Sequence, residues 1–81
     1  MAAALQPLDT TGKVCPLPIL ITAKAMQRLG VGEVLEVLGD DPAILEDMPV
    51  YCLRAGHRLL AIDEEPETGI IRCRIEKLRA E

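Results

Sequence analysis

Near the C-terminus apolar and charged residues alternate one by one. Ile71, Cys73 and Ile75 fall on one side, and Arg72, Arg74 and Glu76 on the other. A period of two predicts a strand with one buried face, here over 70–77. A second such run over 58–63 is joined to it by Glu64-Glu65-Pro66-Glu67-Thr68-Gly69, so the two form a hairpin. Upstream the period changes. Over 16–29, Ile19, Thr22, Ala25, Met26 and Leu29 gather opposite Lys24, Gln27 and Arg28, which predicts an amphipathic helix capped by Gly30. Residues 33–38 form the next strand, and Leu5 to Asp9 a short one that Pro7 confines to a sheet edge or a strand start. The second helical region starts at Asp41-Pro42 and again at Asp47-Met48-Pro49. Aspartate before proline suits a helix start, so a short turn followed by a helix over 49–55 is expected, stopped by Gly56. The order β-α-β-α-β-β implies an α/β (α+β) fold. Two helices pack on one face of a four-stranded mixed sheet, a two-layer sandwich with a right-handed first crossover.

Composition narrows the function classes. At 81 residues, 1–81 reads as a single domain, with residues 1–4 a flexible N-terminus. Hydrophobic content is 49% but aromatic content only 1%, so the core is aliphatic. The net charge of −4, with no run of Lys or Arg, argues against direct nucleic-acid binding. No apolar stretch is long enough to span a membrane, and the N-terminus lacks the basic region of a signal peptide. Three unevenly spaced cysteines make no disulfide framework, so a reducing, cytoplasmic setting is expected.

Candidate chemistry centres on Cys15 in Cys15-Pro16-Leu17-Pro18. Proline favours the first position of a helix, which would make Cys15 the N-cap, its sulfur over the unpaired N–H groups of the first turn, Leu17's among them. The helix dipole favours a thiolate there by roughly 0.3–1 kcal/mol, or up to about one pKa unit. Lys13 and Lys24 would add positive potential, so a reactive thiol with a lowered pKa is expected. The alternative is an inert cysteine at a helix start, since cysteine is a poor cap. Because Pro18 fills the fourth position, no second thiol is close enough for local disulfide cycling. A lone nucleophilic sulfur suits chemistry in which one adduct forms and is passed on, persulfide transfer foremost. Peroxidation and acyl transfer would need a nearby base or oxyanion donors, and the single histidine, His57, lies far along the chain, where it reads as structural.

Other features admit plainer readings. Leu17, Leu20 and Ile21 lie on or beside the polar side of the first helix. Either neighbouring loops cover them incompletely or they form a docking patch beside the thiol. Gly30-Val31-Gly32 follows a helix and precedes a strand, the wrong order for a phosphate loop, and is a turn. Asp40, Asp41, Glu46 and Asp47 read as helix caps rather than metal ligands, so no metal is expected. Cys73, from its alternation, and Cys52, amid Val50, Tyr51 and Leu53, belong to the core.

Leu8-Asp9-x-x-Gly12-x-x-Cys15-Pro16-x-Pro18, followed by Lys24, resembles the signature of the TusA-like (SirA-like) sulfur-carrier family. Asp40-Asp41-Pro42, Asp47-x-Pro49 and Gly56-His57 extend the resemblance to nearly the whole chain. It implies a small βαβαββ protein bearing a persulfide on Cys15, with Pro16 and Pro18 shaping the loop and helix start. The sulfur donor would be a protein such as a cysteine desulfurase or a rhodanese-like protein, and the acceptor a relay protein or enzyme. The pathway served would be tRNA thiolation, sulfur oxidation or cofactor biosynthesis. No cofactor is implied beyond the sulfur carried covalently. Val14 and Leu17, flanking the cysteine, lie where a partner would touch. Two alternatives remain: a thiol redox sensor, which would need Cys52 or Cys73 to reach Cys15, and a regulatory or binding module without thiol chemistry.

Overall fold

The alternation in the last strand decides where the core lies. In the computed structural model, which describes residues 7–80, the elements are β1 (Leu8–Asp9), α1 (Leu17–Met26), β2 (Val34–Gly39), α2 (Ile44–Ala55), β3 (Arg58–Glu64) and β4 (Ile71–Glu76). The expected start of the first strand at Leu5, and the flexible residues 1–4, lie outside the described residues. The strands order as β1-β2-β4-β3, with β1 parallel to β2 and the other pairs antiparallel, giving the expected mixed sheet. Register places Leu35 opposite Ile75 and Val37 opposite Cys73. Ile71, Cys73 and Ile75 are buried while Arg72 and Arg74 are exposed, so one face of the sheet is covered. Met26 of α1 and Ile44, Met48 and Cys52 of α2 cover it, forming one core with Leu35 and Val37. Burying an aliphatic side chain of this size contributes roughly 1.5–3 kcal/mol, so this set supplies most of the driving force.

Both helices depart from the expected boundaries. The second helix is continuous from Ile44 through Pro49, where a restart was expected. Ile44, Met48 and Cys52 stand four residues apart and bury as one stripe. That burial outweighs the single backbone bond Pro49 cannot donate. Ala43, not Asp41, is the N-cap residue; Asp41 instead closes the turn before it, its Oδ1 accepting the Ala43 N–H at 3.1 Å and its carbonyl the Ile44 N–H at 2.9 Å. Gly56 ends the helix as expected, at φ +81°, a left-handed conformation that favours glycine.

The regular part of α1 ends at Met26, three residues short of expectation, and Gly30 is not its left-handed cap. Instead the last turns tighten, with Arg28 N bonding Ala25 O and Leu29 N bonding Met26 O. An ammonium group completes the helix end. Lys77, 3% exposed, donates from Nζ to Met26 O at 2.7 Å and to Leu29 O at 2.6 Å. On the inner face of α1, the buried Thr22 hydroxyl donates to Pro18 O at 2.8 Å, which satisfies a polar group at a core position.

Candidate functional site

Two loops meet at the end of the sheet where β1 and β2 finish. Thr10, fully buried, ties them together: its N–H and its hydroxyl both donate to Leu38 O, each at 2.7 Å. Gly39 permits the approach, since a Cβ there would run into Ile44 and the Thr10 hydroxyl. The segment from Asp9 to Leu17 then closes on itself. Asp9 Oδ1 accepts from Thr11 N at 2.9 Å and from the Thr11 hydroxyl at 2.6 Å, which holds its carboxyl below the ordinary value. Gly12 turns the chain at φ +83°, and Lys13 N donates to Thr10 O.

Aspartates of the opposite loop take the free N–H groups of this segment. Asp40 Oδ1 accepts from Gly12 N at 3.0 Å, and Asp41 Oδ2 from Cys15 N at 2.7 Å. The two backbone N–H groups on Asp41, first Ala43's and then Cys15's, lower its pKa. Asp47, in α2, reaches the sulfur itself: Cys15 Sγ donates to its Oδ2 at 3.2 Å.

Several expectations about Cys15 need correction. Its side chain is exposed, but Pro16, not Cys15, occupies the N-cap position of α1 (φ −97°, ψ 14°), with Leu17 and Pro18 following. The reason lies in the hydrogen bonds: Leu20 N donates to Pro16 O, so the helix begins there, and Leu17 N is already bonded to Val14 O at 2.9 Å. Leu17 therefore has no N–H to offer the sulfur, and the prolines have none at all. The Cys15–Pro16 peptide bond is cis. The thiol pKa is raised, not lowered. Its hydrogen bond to Asp47 is the main cause, followed by partial desolvation and then the negative charges of Asp47 and Asp41. Neither Lys13 nor Lys24 is among the groups acting on it. Lys24 lies in the last turn of α1, about 10 Å of helix rise from Leu17, too far to help.

The docking residues separate. Val14, Leu17 and Leu20 are exposed at 65%, 44% and 57%, a real apolar patch around the cysteine, while Ile21 is half-buried and leaves it. Pro16 is exposed and Pro18 buried. Cys52 and Cys73 are buried, and burial pushes their thiols up to about 11 and about 12. His57 is also buried, and its Nδ1 accepts the Leu78 N–H at 3.3 Å, in keeping with a structural role. Among the described residues no three His, Cys, Asp or Glu side chains group as metal ligands, and no helix is long and apolar enough to cross a membrane.

Sequence reasoning missed Asp47 and the loop-holding role of Asp40 and Asp41. Their spacing from Cys15, 26 residues for Asp41 and 32 for Asp47, hides the contacts from any local reading.

The geometry defines a class: a small α+β domain presenting one exposed thiol at a loop–helix junction, with its other two thiols sealed in the core. The family model described as Sulfurtransferase TusA matches residues 6–77. Over 61 residues the chain is 41% identical to the sulfur carrier protein TusA of Pseudomonas entomophila (strain L48), covering 75% of this chain and 76% of that one. The crystal structure of the SirA-like protein from Desulfitobacterium hafniense matches with a TM-score of 0.78 at 27% identity, covering 90% of this chain and 97% of that one. The chain belongs to the Sulfurtransferase TusA family.

Proposed function

We propose that this protein is a sulfur carrier that accepts a sulfur atom on Cys15 as a persulfide and passes it to an acceptor thiol. The observation that carries the reading is the conjunction of the family match over 6–77 with a single exposed cysteine inside it. The donor is a protein persulfide, such as that of a cysteine desulfurase or a rhodanese-like protein. The acceptor is a relay protein or enzyme in tRNA thiolation, sulfur oxidation or cofactor biosynthesis. The exposed Val14, Leu17 and Leu20 supply an apolar contact for both. Burial of Cys52 and Cys73 speaks against an internal disulfide switch, because neither is presented to Cys15 at the surface.

The test is intact mass with peptide mapping after incubation with a cysteine desulfurase and cysteine, without reductant, repeated with a rhodanese and thiosulfate. A gain of one sulfur on Cys15, removed by reductant and absent from Cys15→Ser, is expected. No gain from either donor, or an equal gain in the serine variant, overturns the reading.

A further inference from the structure

Asp47 stands between the sulfur and an open groove. Its Oδ2 accepts the Cys15 S–H at 3.2 Å. With Ile19, Val50, Tyr51 and Arg54 it also lines an apolar groove of about 540 Å³ between the start of α1 and the outer face of α2. Beneath the sulfur, Pro18, Asp41 and Ile44 close a space too small for a water molecule. The thiol proton is thus bonded to a carboxylate while the sulfur itself stays exposed.

Sulfur transfer moves a proton as well as a sulfur atom. A thiol that forms a bond to sulfur must lose its hydrogen, and the donor thiolate that departs must gain one. A side chain already bonded to that hydrogen can serve both ends. We propose that Asp47 is the proton carrier of the transfer step, taking the Cys15 proton as sulfur arrives and returning it to the departing donor. The inference rests on the carrier reading above. In the step, Cys15–SH and R–S–SH become Cys15–S–SH and R–SH. Cys15 Sγ bonds to the outer sulfur of the donor persulfide as the donor's S–S bond breaks. The electron pair of that bond stays on the donor sulfur, which takes the proton from Asp47. Nothing is oxidised or reduced overall.

The same carboxylate has an opposite effect on stray chemistry. It stabilises the S–H form and disfavours the anion, so an unpartnered chain holds little free thiolate. The other charged groups around the site are Asp41, on the Cys15 N–H, and Arg54, along the groove, while Pro16 and Ile19 line the groove opposite α2. Asp47 is therefore expected to slow reaction with small electrophiles while speeding transfer from a protein donor. A simple brake would slow both.

That divergence is the test. Wild type, Asp47→Asn and Glu46→Gln are compared in two measurements: Cys15 alkylation by iodoacetamide as a function of pH, and the initial rate of sulfur loading from a cysteine desulfurase with cysteine. In Asp47→Asn, alkylation at neutral pH should quicken, its midpoint should move to lower pH, and loading should slow by roughly a hundredfold or more, the low end of what a positioned acid–base group supplies. Glu46→Gln removes a neighbouring exposed charge and should change neither. Asp47→Ser repeats the comparison should asparagine disturb α2, and Asp47→Glu should recover part of the loading rate. Loading that rises together with alkylation, loading that is unchanged, or Glu46→Gln behaving like Asp47→Asn overturns the inference alone. A wild-type chain that takes up no sulfur overturns the carrier reading, and this inference with it.

Discussion

The core around Cys52 and Cys73 and the loop around Cys15 both keep their thiols protonated, but a different cause leads in each. In the core, the protein offers nothing to stabilise a thiolate, so desolvation pushes Cys52 to about 11 and Cys73 to about 12. At the loop, one carboxylate contact is the main cause, and the sulfur is exposed. The first state lasts while the domain stays folded and the pH stays below about 11. The second ends when one side chain turns. The same inertness is thus lasting in one region and reversible in the other, and the reversible one suits a sulfur that must react only with its partners.

The largest effect should come from Cys15→Ser, which is expected to abolish sulfur loading while leaving the thermal midpoint unchanged. The serine hydroxyl can donate to Asp47 as the thiol does. Loss of loading with a collapsed melt would instead merge the two regions into one. Met48→Ala, fully buried at the centre of α2, should cost about 2–5 kcal/mol by urea denaturation, yet any folded fraction should load sulfur normally. A high-pH titration separates the thiols next. Unfolded cysteines ionise near 9.0, whereas Cys52 and Cys73 hold their protons to about 11 and 12. Above pH 9 the unfolded state therefore binds fewer protons than the native one, and stability should fall progressively up to about pH 12. In Cys52→Ala/Cys73→Ala the slope of stability against pH in that window should flatten. The smallest effect should be that of Asp41→Ala, which frees the Ala43 and Cys15 N–H groups. About 1–2 kcal/mol of stability should be lost, as for a helix cap, measured by thermal melting, with faster hydrogen exchange at Cys15.

The two regions also differ in how far the amino-acid order reveals them. The core follows periodic burial: the alternation of Ile71, Cys73 and Ile75 with arginines locates the covered face, and Gly56 marks a helix end by its own chemistry. A period also explains the error at Pro49. The stripe of Ile44, Met48 and Cys52 runs across it, and weighting that stripe above the proline gives the continuous helix. Extending the alternation one step further puts Lys77 on the inner face, where a lysine must find partners. The cysteine loop has no period. Cys-Pro-Leu-Pro marks Cys15 as unusual, but the groups that set its chemistry are single side chains from distant segments. Asp47 looks like a cap in its own neighbourhood, and only the packing of α2 against the start of α1 brings it to the sulfur. The thiol pKa is raised where a lowered one is expected for the same reason: a helix dipole can be read from order, while a carboxylate arriving from 32 residues away cannot.

The Lys77 cap orders events in time as well as in space. The carbonyl of Met26 is completed by a side chain 51 residues later, and that of Leu29 by one 48 residues later. A nascent chain that has made α1 and β2 still lacks the ammonium group that completes its helix end until β4 has emerged. The C-terminal end of α1 is therefore completed only when β4 is in place. Truncation before Lys77 should therefore lower the thermal midpoint, because the ammonium group that bonds the Met26 and Leu29 carbonyls is lost.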